Sequence, residues 1–389
     1  MPVETQTTQT ASTPVNVSTR TDTQNRVVSV DALRGFDMFW IIGADAFFYA
    51  INKMGPGNSF ISPIANQLDH VQWAGFHFYD LIFPLFVFIV GVSIVFSLSR
   101  RVATLGKAAA AKQVFRRFVI LYLFGLFAYG GIEKGYEHIR LLGVLQRIAL
   151  CYLFAGFAFI FLKPRGLLVL CISLLVGYWA MMTFIPVPGL GAGNFAEGQN
   201  LANYIDKMYL PLRKWDGDHD PEGLLSTLPA VASALLGIFA GLLIRRTDFP
   251  EMKKVQWLFG FGIAGVILGF LWGFQFPVIK KIWSSSFVLV AGGLSAMLLG
   301  LFYYIIDVKK HQRWAAPFLW IGMNAITIYM IVHVIELNDL ANRILGGEIK
   351  TYLNSVMNGL GDLAIATLVL AAAISFCRFL YQRKIFLRV

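Results

Sequence analysis

From residue 27 onward the chain is built of long apolar blocks separated by short polar and charged stretches. A helix that crosses a bilayer needs about 20 mostly apolar residues, and the pattern predicts ten of them. They cover roughly 31–51, 77–98, 114–132, 143–162, 166–185, 226–244, 255–275, 286–306, 315–336 and 360–381. The predicted fold class is therefore all-α, a polytopic transmembrane bundle of about ten spans. Nothing is left over for a soluble domain, so residues 27–389 read as a single transmembrane domain. Residues 1–26 are rich in Thr, Gln, Ser and Asn and carry no apolar stretch, which predicts a disordered polar tail. The tail also has no apolar core of a cleavable signal, so the first span is expected to act as its own insertion signal.

Composition narrows the class further. Of the 389 residues, 57% are hydrophobic and 14% charged, with mean hydropathy +0.63. A soluble domain is about 45–50% apolar and about 25% charged. The departure in both excludes a disordered protein, a secreted disulfide scaffold and an ordinary cytosolic enzyme. The net charge of +11 does not imply nucleic acid, because no soluble basic domain exists to carry it. Roughly two-thirds of the Lys and Arg fall in alternate loops, Arg100, Arg101, Arg116, Arg117, Arg245 and Arg246 among them. That bias predicts cytoplasmic termini and puts loops 52–76, 133–142, 186–226, 276–285 and 337–359 on the opposite face. Cys151, Cys171 and Cys377 all lie in apolar runs and read as buried hydrophobes.

Ionisable groups inside spans are costly and mark candidate sites. Asp31, Arg34 and Asp37 follow i, i+3, i+6 spacing, so they are expected to pair on one helix side. Asp45, two turns further on, needs a partner from another helix. His70 comes at the outer interface, with Trp73, His77, Asp80 and Pro84 expected along one helical stripe after it. Arg147, in the fourth span, requires a carboxylate, a carbonyl or a ligand anion, and Asp45 and Asp80 qualify. In the long outer loop Asp216, Asp218, His219, Asp220 and Glu222 cluster, but at no recognised metal spacing, so no metal is expected. Ser226 and Thr227 are expected to cap the sixth helix. In the ninth span Asn324, Thr327, Tyr329, His333 and Glu336 either line a cavity or hydrogen-bond across helices. Gly189–Asn194 lacks a following Lys-Ser/Thr, so it is not a phosphate loop. Two classes remain open on these residues. One is an enzyme; the other is a proton-coupled transporter using Asp45, His70, Asp80 and Arg147 as a relay.

Several blocks then resemble a known family. Ser29-Val-Asp31-Ala-Leu-Arg34-Gly35, and His70 ten residues before Asp80-Leu-Ile-Phe-Pro84-Leu-Phe-Val-Phe-Ile-Val-Gly91, are similar to heparan-α-glucosaminide N-acetyltransferases. So are Gly143-Val-Leu-Gln146-Arg147, Asp220-Pro221-Glu222-Gly223-Leu-Leu-Ser226-Thr227, Lys281-Ile-Trp283-Ser284 and Gly322-Met323-Asn324, in the same order. The resemblance implies a membrane enzyme that moves acetyl from cytoplasmic acetyl-CoA to a glucosamine amine on the far side. It implies that His70 is the catalytic histidine. Asp45 stands where the family has asparagine; an Asn only hydrogen-bonds, whereas an Asp can also hold charge. No counterpart of the large outer N-terminal domain of the animal members is expected, and ten spans are expected where those have one more. On this basis His70, Asp45 and Asp80 are assigned to catalysis. Arg147, Asn324, Arg100 and Arg101 are assigned to the acyl donor, and Glu222, Trp283 and His333 to the acceptor. The expected co-substrate is acetyl-CoA, with no metal. The expected partners are an amino-sugar or glycan acceptor, the bilayer and, with no residue that argues for it, a second copy in a homodimer. The expected location is a bacterial inner membrane.

Overall fold

A computed structural model describes residues 27–55, 57–130 and 135–387, so the expected tail over 1–26 lies outside the described residues. Helices account for most of the chain, and no strand longer than an isolated bridge occurs among the described residues. In order they are α1 (Val28–Phe39), α2 (Asp45–Met54), α3 (Ile61–Gln67), α4 (Ile82–Ala128), α5 (Val144–Phe161), α6 (Pro164–Phe184), α7 (Leu201–Tyr209) and α8 (Thr227–Arg245). After these come α9 (Glu251–Gly273), α10 (Ser285–Phe302), α11 (Ala316–Met323), α12 (Ala325–Val334), α13 (Leu337–Leu345), α14 (Glu348–Val356) and α15 (Leu360–Gln382). The protein is an integral, multi-pass membrane protein of the all-α class.

By length and apolarity 7 described helices can cross a bilayer, or 8 if α11 and α12, bent by 64° at Asn324, make one span. The expected count of ten differs because chain breaks divide the spans unequally. Helix α4 runs for 47 residues, about 70 Å if straight, more than twice the hydrocarbon thickness. It breaks at Gly106, where φ is 81°, a value open to glycine but strained for other residues. The two arms are the expected second and third spans. Between α1 and α2 the helix widens over Trp40–Ala44 around Gly43, with φ 119°, so the expected first span is a bent one.

Glycines set the packing. Apolar side chains gain little by leaving lipid for a helix interface, so association rests on close contact. A Cβ on Gly35 would lie 1.7 Å from the Phe318 carbonyl oxygen, and one on Gly322 1.9 Å from that of Asp31. Gly91 and Gly237 join the first arm of α4 to α8 in the same way, and Gly262 and Gly293 join α9 to α10. Val27 and the end of α15 lie at one end of the bundle, since the Ser29 amide donates to Asp307 (3.0 Å) and Leu387 shares a cavity wall with Arg34. Cysteines placed at Gly193 or Asn342 should react with an impermeant thiol reagent added outside intact cells, and one at Lys107 should not. Labelling of Lys107→Cys from outside would reverse this arrangement. The native Cys151, Cys171 and Cys377 are buried and free, so they leave the background low.

Candidate active site

His70 is placed by the chain entering α4. Residues Phe78–Leu81 form a single 3-10 turn, and everything from Leu68 to His77 is loop, so the expected helical stripe through Trp73 and His77 does not form. Helix N-termini leave amides unpaired, and Asp80 satisfies them instead. Its Oδ2 accepts from the amides of His77 (3.0 Å) and Val71 (3.3 Å), folding the loop back over the helix start. Its Oδ1 lies 2.8 Å from His70 Nδ1. A carboxylate only accepts, so Nδ1 carries a proton, and in the neutral imidazole the lone pair is on Nε2. Asp80 is buried while the His70 side chain is 49% exposed, so the imidazole is tethered from below and open above.

A second loop meets the first. Ala74 bridges Ile279 in antiparallel fashion, and the Gly75 amide donates to the Val278 carbonyl (2.9 Å). This register delivers Lys280, whose Nζ lies 3.0 Å from His70 Nδ1, 3.2 Å from Nε2 and 3.4 Å from Asp80 Oδ1. Burial lowers the pKa of Lys280, against the opposing pull of Asp80 and Glu222. Asp45 does not touch His70. It accepts from the Tyr79 hydroxyl (3.1 Å), and the Tyr79 ring packs 4.8 Å from the imidazole. Tyr79 therefore stands in contact with both Asp45 and His70.

The outer loop supplies a third group. Arg140 donates from Nε and Nη2 to both oxygens of Asp220 (2.9 and 2.7 Å) and from Nη2 to Glu222. Burial raises the Glu222 pKa, and Arg140 and Arg147 oppose that shift. Asp206 organises the same loop from α7, accepting from the Leu224 amide (2.8 Å), and burial pushes its pKa up to about 6. Gly223 is required there, because a Cβ would fall 1.9 Å from Asp206 Oδ2. Arg147 is fully buried. It donates to the Gly223 carbonyl (3.1 Å) and to Ser226 Oγ, and stacks 5.0 Å from the Trp283 ring. Neither Asp45 nor Asp80 is its partner. Ser226 makes no cap bond to its helix, because its hydroxyl is engaged by Arg147 and the Gly223 carbonyl.

Two cavities of about 240 Å³ each divide these residues. The outer one is lined by His70, Tyr79, Tyr129, Glu222, Lys280 and His333 around an apolar floor. The inner one is lined by Arg34, Ser93, Arg117, Tyr152, Asn324 and Leu387. Phe86, Leu145, Ile148, Ala325 and Ile326 border both, so the two are separated by shared apolar walls at mid-bundle. The break at Asn324 lies in the wall of the inner cavity. Irregular backbone at membrane depth is tolerated where it lines a cavity.

Of the predicted site residues, His70, Glu222 and His333 meet in the outer cavity, Asn324 faces the inner one, and Asp80 supports His70. Arg100, Arg101, Arg147 and Trp283 line neither cavity. Glu336 is exposed, with left-handed backbone (φ 52°), and His333 instead stacks on Tyr329 at 4.0 Å. The expected Asp31–Arg34 pair forms (3.1 Å), but Asp37 is buried with neither oxygen hydrogen-bonded among the described residues. Arg34 also donates to Ser93 (2.7 Å), and Arg117 packs 4.7 Å from the Tyr152 ring with a buried, unpartnered Nε. Sequence reasoning passed over Lys280, Tyr79 and the cavity role of Arg34, and had Arg117 only as one of several cytoplasmic cations. Lys280 had left a trace, since two adjacent lysines stand on the face that the charge bias leaves poor in cations. Glu197, Asp216 and His219 also place ligand atoms within 4.8 Å of one another. The cation beside them is Lys281, 2.6 Å from Glu197 and 3.1 Å from Asp216.

No family model matches the chain. It is similar to heparan-alpha-glucosaminide N-acetyltransferase of Homo sapiens, 29% identical over 331 residues covering 69% of this chain and 49% of that protein. It is also 26% identical to the Mus musculus protein of the same name, over 82% of this chain and 55% of the relative. The similarity to these acetyltransferases covers most of this chain. The chain spans about half the length of the curated relatives it matches. The aligned share is large enough to take in most of the helical bundle described above.

Proposed function

We propose that the chain is a membrane N-acetyltransferase. In this reading acetyl-CoA enters from the cytoplasmic end and an amino-sugar amine from the opposite face, with His70 as the base between them. The observation that carries it is the pair of cavities set back to back across a shared apolar wall, one lined by Arg34 and Arg117 and the other by His70. Phosphates cannot enter lipid, and guanidinium groups at the inner mouth suit them. The apolar walls suit the uncharged pantetheine arm, which brings the thioester to the outer cavity. There the Nε2 lone pair takes a proton from the amine as nitrogen attacks the thioester carbon. The tetrahedral adduct collapses with cleavage of the carbon–sulfur bond, and His70 returns the proton to the thiolate. The products are an N-acetyl amide and CoA thiol. Glu222 faces the same cavity and can accept hydrogen bonds from the incoming amine. Asp80 fixes the imidazole tautomer and orientation, the part a carboxylate plays behind a catalytic histidine. The setting is a bacterial inner membrane with both chain termini cytoplasmic.

The test is a sided assay. Purified protein in liposomes receives radiolabelled acetyl-CoA on one side and glucosamine on the other. Labelled N-acetylglucosamine should form on the acceptor side. Absence of transfer to any amino sugar, in folded protein, would end this reading.

A further inference from the structure

Lys280 has no part in the base function assigned to His70, yet it sits closer to both ring nitrogens than any other charged side chain except Asp80. The nitrogens of one imidazole are about 2.2 Å apart on the ring edge. A group 3.0 and 3.2 Å from both cannot lie in the ring plane, because it would collide with the carbon between them. The ammonium therefore stands over the ring face, and it cannot be hydrogen-bonded along the Nε2 lone pair. It leaves that lone pair free for the amine. Its other anchor is Asp80, at 3.4 Å, and it lines the outer cavity together with Tyr79 and Glu222.

The geometry points to Lys280 as the group that stabilises the oxyanion of acyl transfer. This rests on the acetyltransferase reading. The amine must approach within about 3 Å of Nε2, and the carbon it attacks lies one bond further on. A cation 3.2 Å from that nitrogen, inside the cavity, is within reach of the carbonyl oxygen. As the nitrogen–carbon bond forms, the carbonyl π pair moves onto oxygen, and the ammonium meets the new negative charge. When the carbon–sulfur bond breaks, the pair returns and the thiolate leaves. Lys280 keeps its proton throughout and exchanges none with His70. In a cavity with apolar walls such a charge acts more strongly than in water. A merely structural Lys280 would only neutralise Asp80.

The experiment compares Lys280→Met, Lys280→Gln and Lys280→Arg, all checked for a single folded species in detergent. Removing one oxyanion donor costs about 10²–10³ in kcat. Lys280→Met and Lys280→Gln should lose that much while KM for acetyl-CoA stays within about threefold, and Lys280→Arg should keep most of the rate. A second readout uses fluoroacetyl-CoA, whose oxyanion needs less outside help. It should recover more of the lost rate in Lys280→Gln than it gains in the wild type. Equal losses with both donors, or a folded neutral variant with wild-type kcat, would overturn the assignment. An inactive wild type would overturn the acetyltransferase reading itself, so the two failures are distinguishable. If Lys280→Met does not fold, Lys280→Cys treated with bromoethylamine restores an ammonium at the same reach. Regained activity supports the role, and folded but inactive aminoethylated protein overturns it.

Discussion

Replacing His70 with alanine should cut acetyl transfer by roughly 10³-fold while leaving the folded yield unchanged, since a positioned general base contributes about 10²–10⁴. The two halves of this expectation have separate physical causes. The imidazole is half exposed and makes one hydrogen bond to a side chain that is otherwise satisfied. Asp80 keeps the amides of Val71 and His77 and the nearby Lys280 ammonium when His70 is gone. Nothing buried is orphaned, so stability is spared. The chemistry loses its only group with a free lone pair placed between the tether and the cavity. The measurement is turnover of radiolabelled acetyl-CoA with glucosamine, beside size-exclusion profiles of both proteins. Near-wild-type turnover in the variant would remove His70 from the reaction.

Arg140→Met should act in the opposite sense, chiefly on folding. Its guanidinium satisfies Asp220 through two hydrogen bonds and Glu222 through another, in a setting where all three side chains are buried. Removing one partner of a buried ion pair costs about 3–5 kcal/mol, because the remaining charge is left without solvent or counterion. Here two carboxylates are left. That is a large part of the total stability of a typical domain, about 5–15 kcal/mol. The expected result is loss of monodisperse protein, or a melting temperature lowered by many degrees. Adding Asp220→Asn and Glu222→Gln should recover much of the yield, because the amides carry no charge to be stranded. Activity should not return with it, since Glu222→Gln removes a carboxylate that lines the outer cavity. A stable Arg140→Met single variant would show that the network is not what holds the outer loop.

Hydropathy by itself determined the class of this protein. Twenty-residue apolar blocks can only be helices in lipid, because backbone groups there must pair within their own segment. The charge bias gives an expected direction for the bundle, because Lys and Arg counts are read loop by loop along the chain. His70 and Asp80 were legible as a pair because they are ten residues apart in one connection. The tertiary structure decided what neither periodicity nor charge counting reaches. The bridge from Ala74 to Ile279 brings Lys280 to His70 across 210 positions of sequence, and no local signal encodes such a register. Asp45 contacts Tyr79 because α2 bends away from α1 at Gly43, a bend that a hydropathy window averages out. Arg147 is expected to meet a carboxylate, a carbonyl or a ligand anion, and packing decides among them: Nη2 reaches the Gly223 carbonyl and the Ser226 hydroxyl over the Trp283 indole face, while Nε and Nη1 have no hydrogen-bond partner among the described residues. Arg34 and Arg117, unremarkable among many cytoplasmic cations, became distinct only through packing. Two helices and a break at Asn324 leave a cavity there, and the shape of empty space is a property of the folded chain alone.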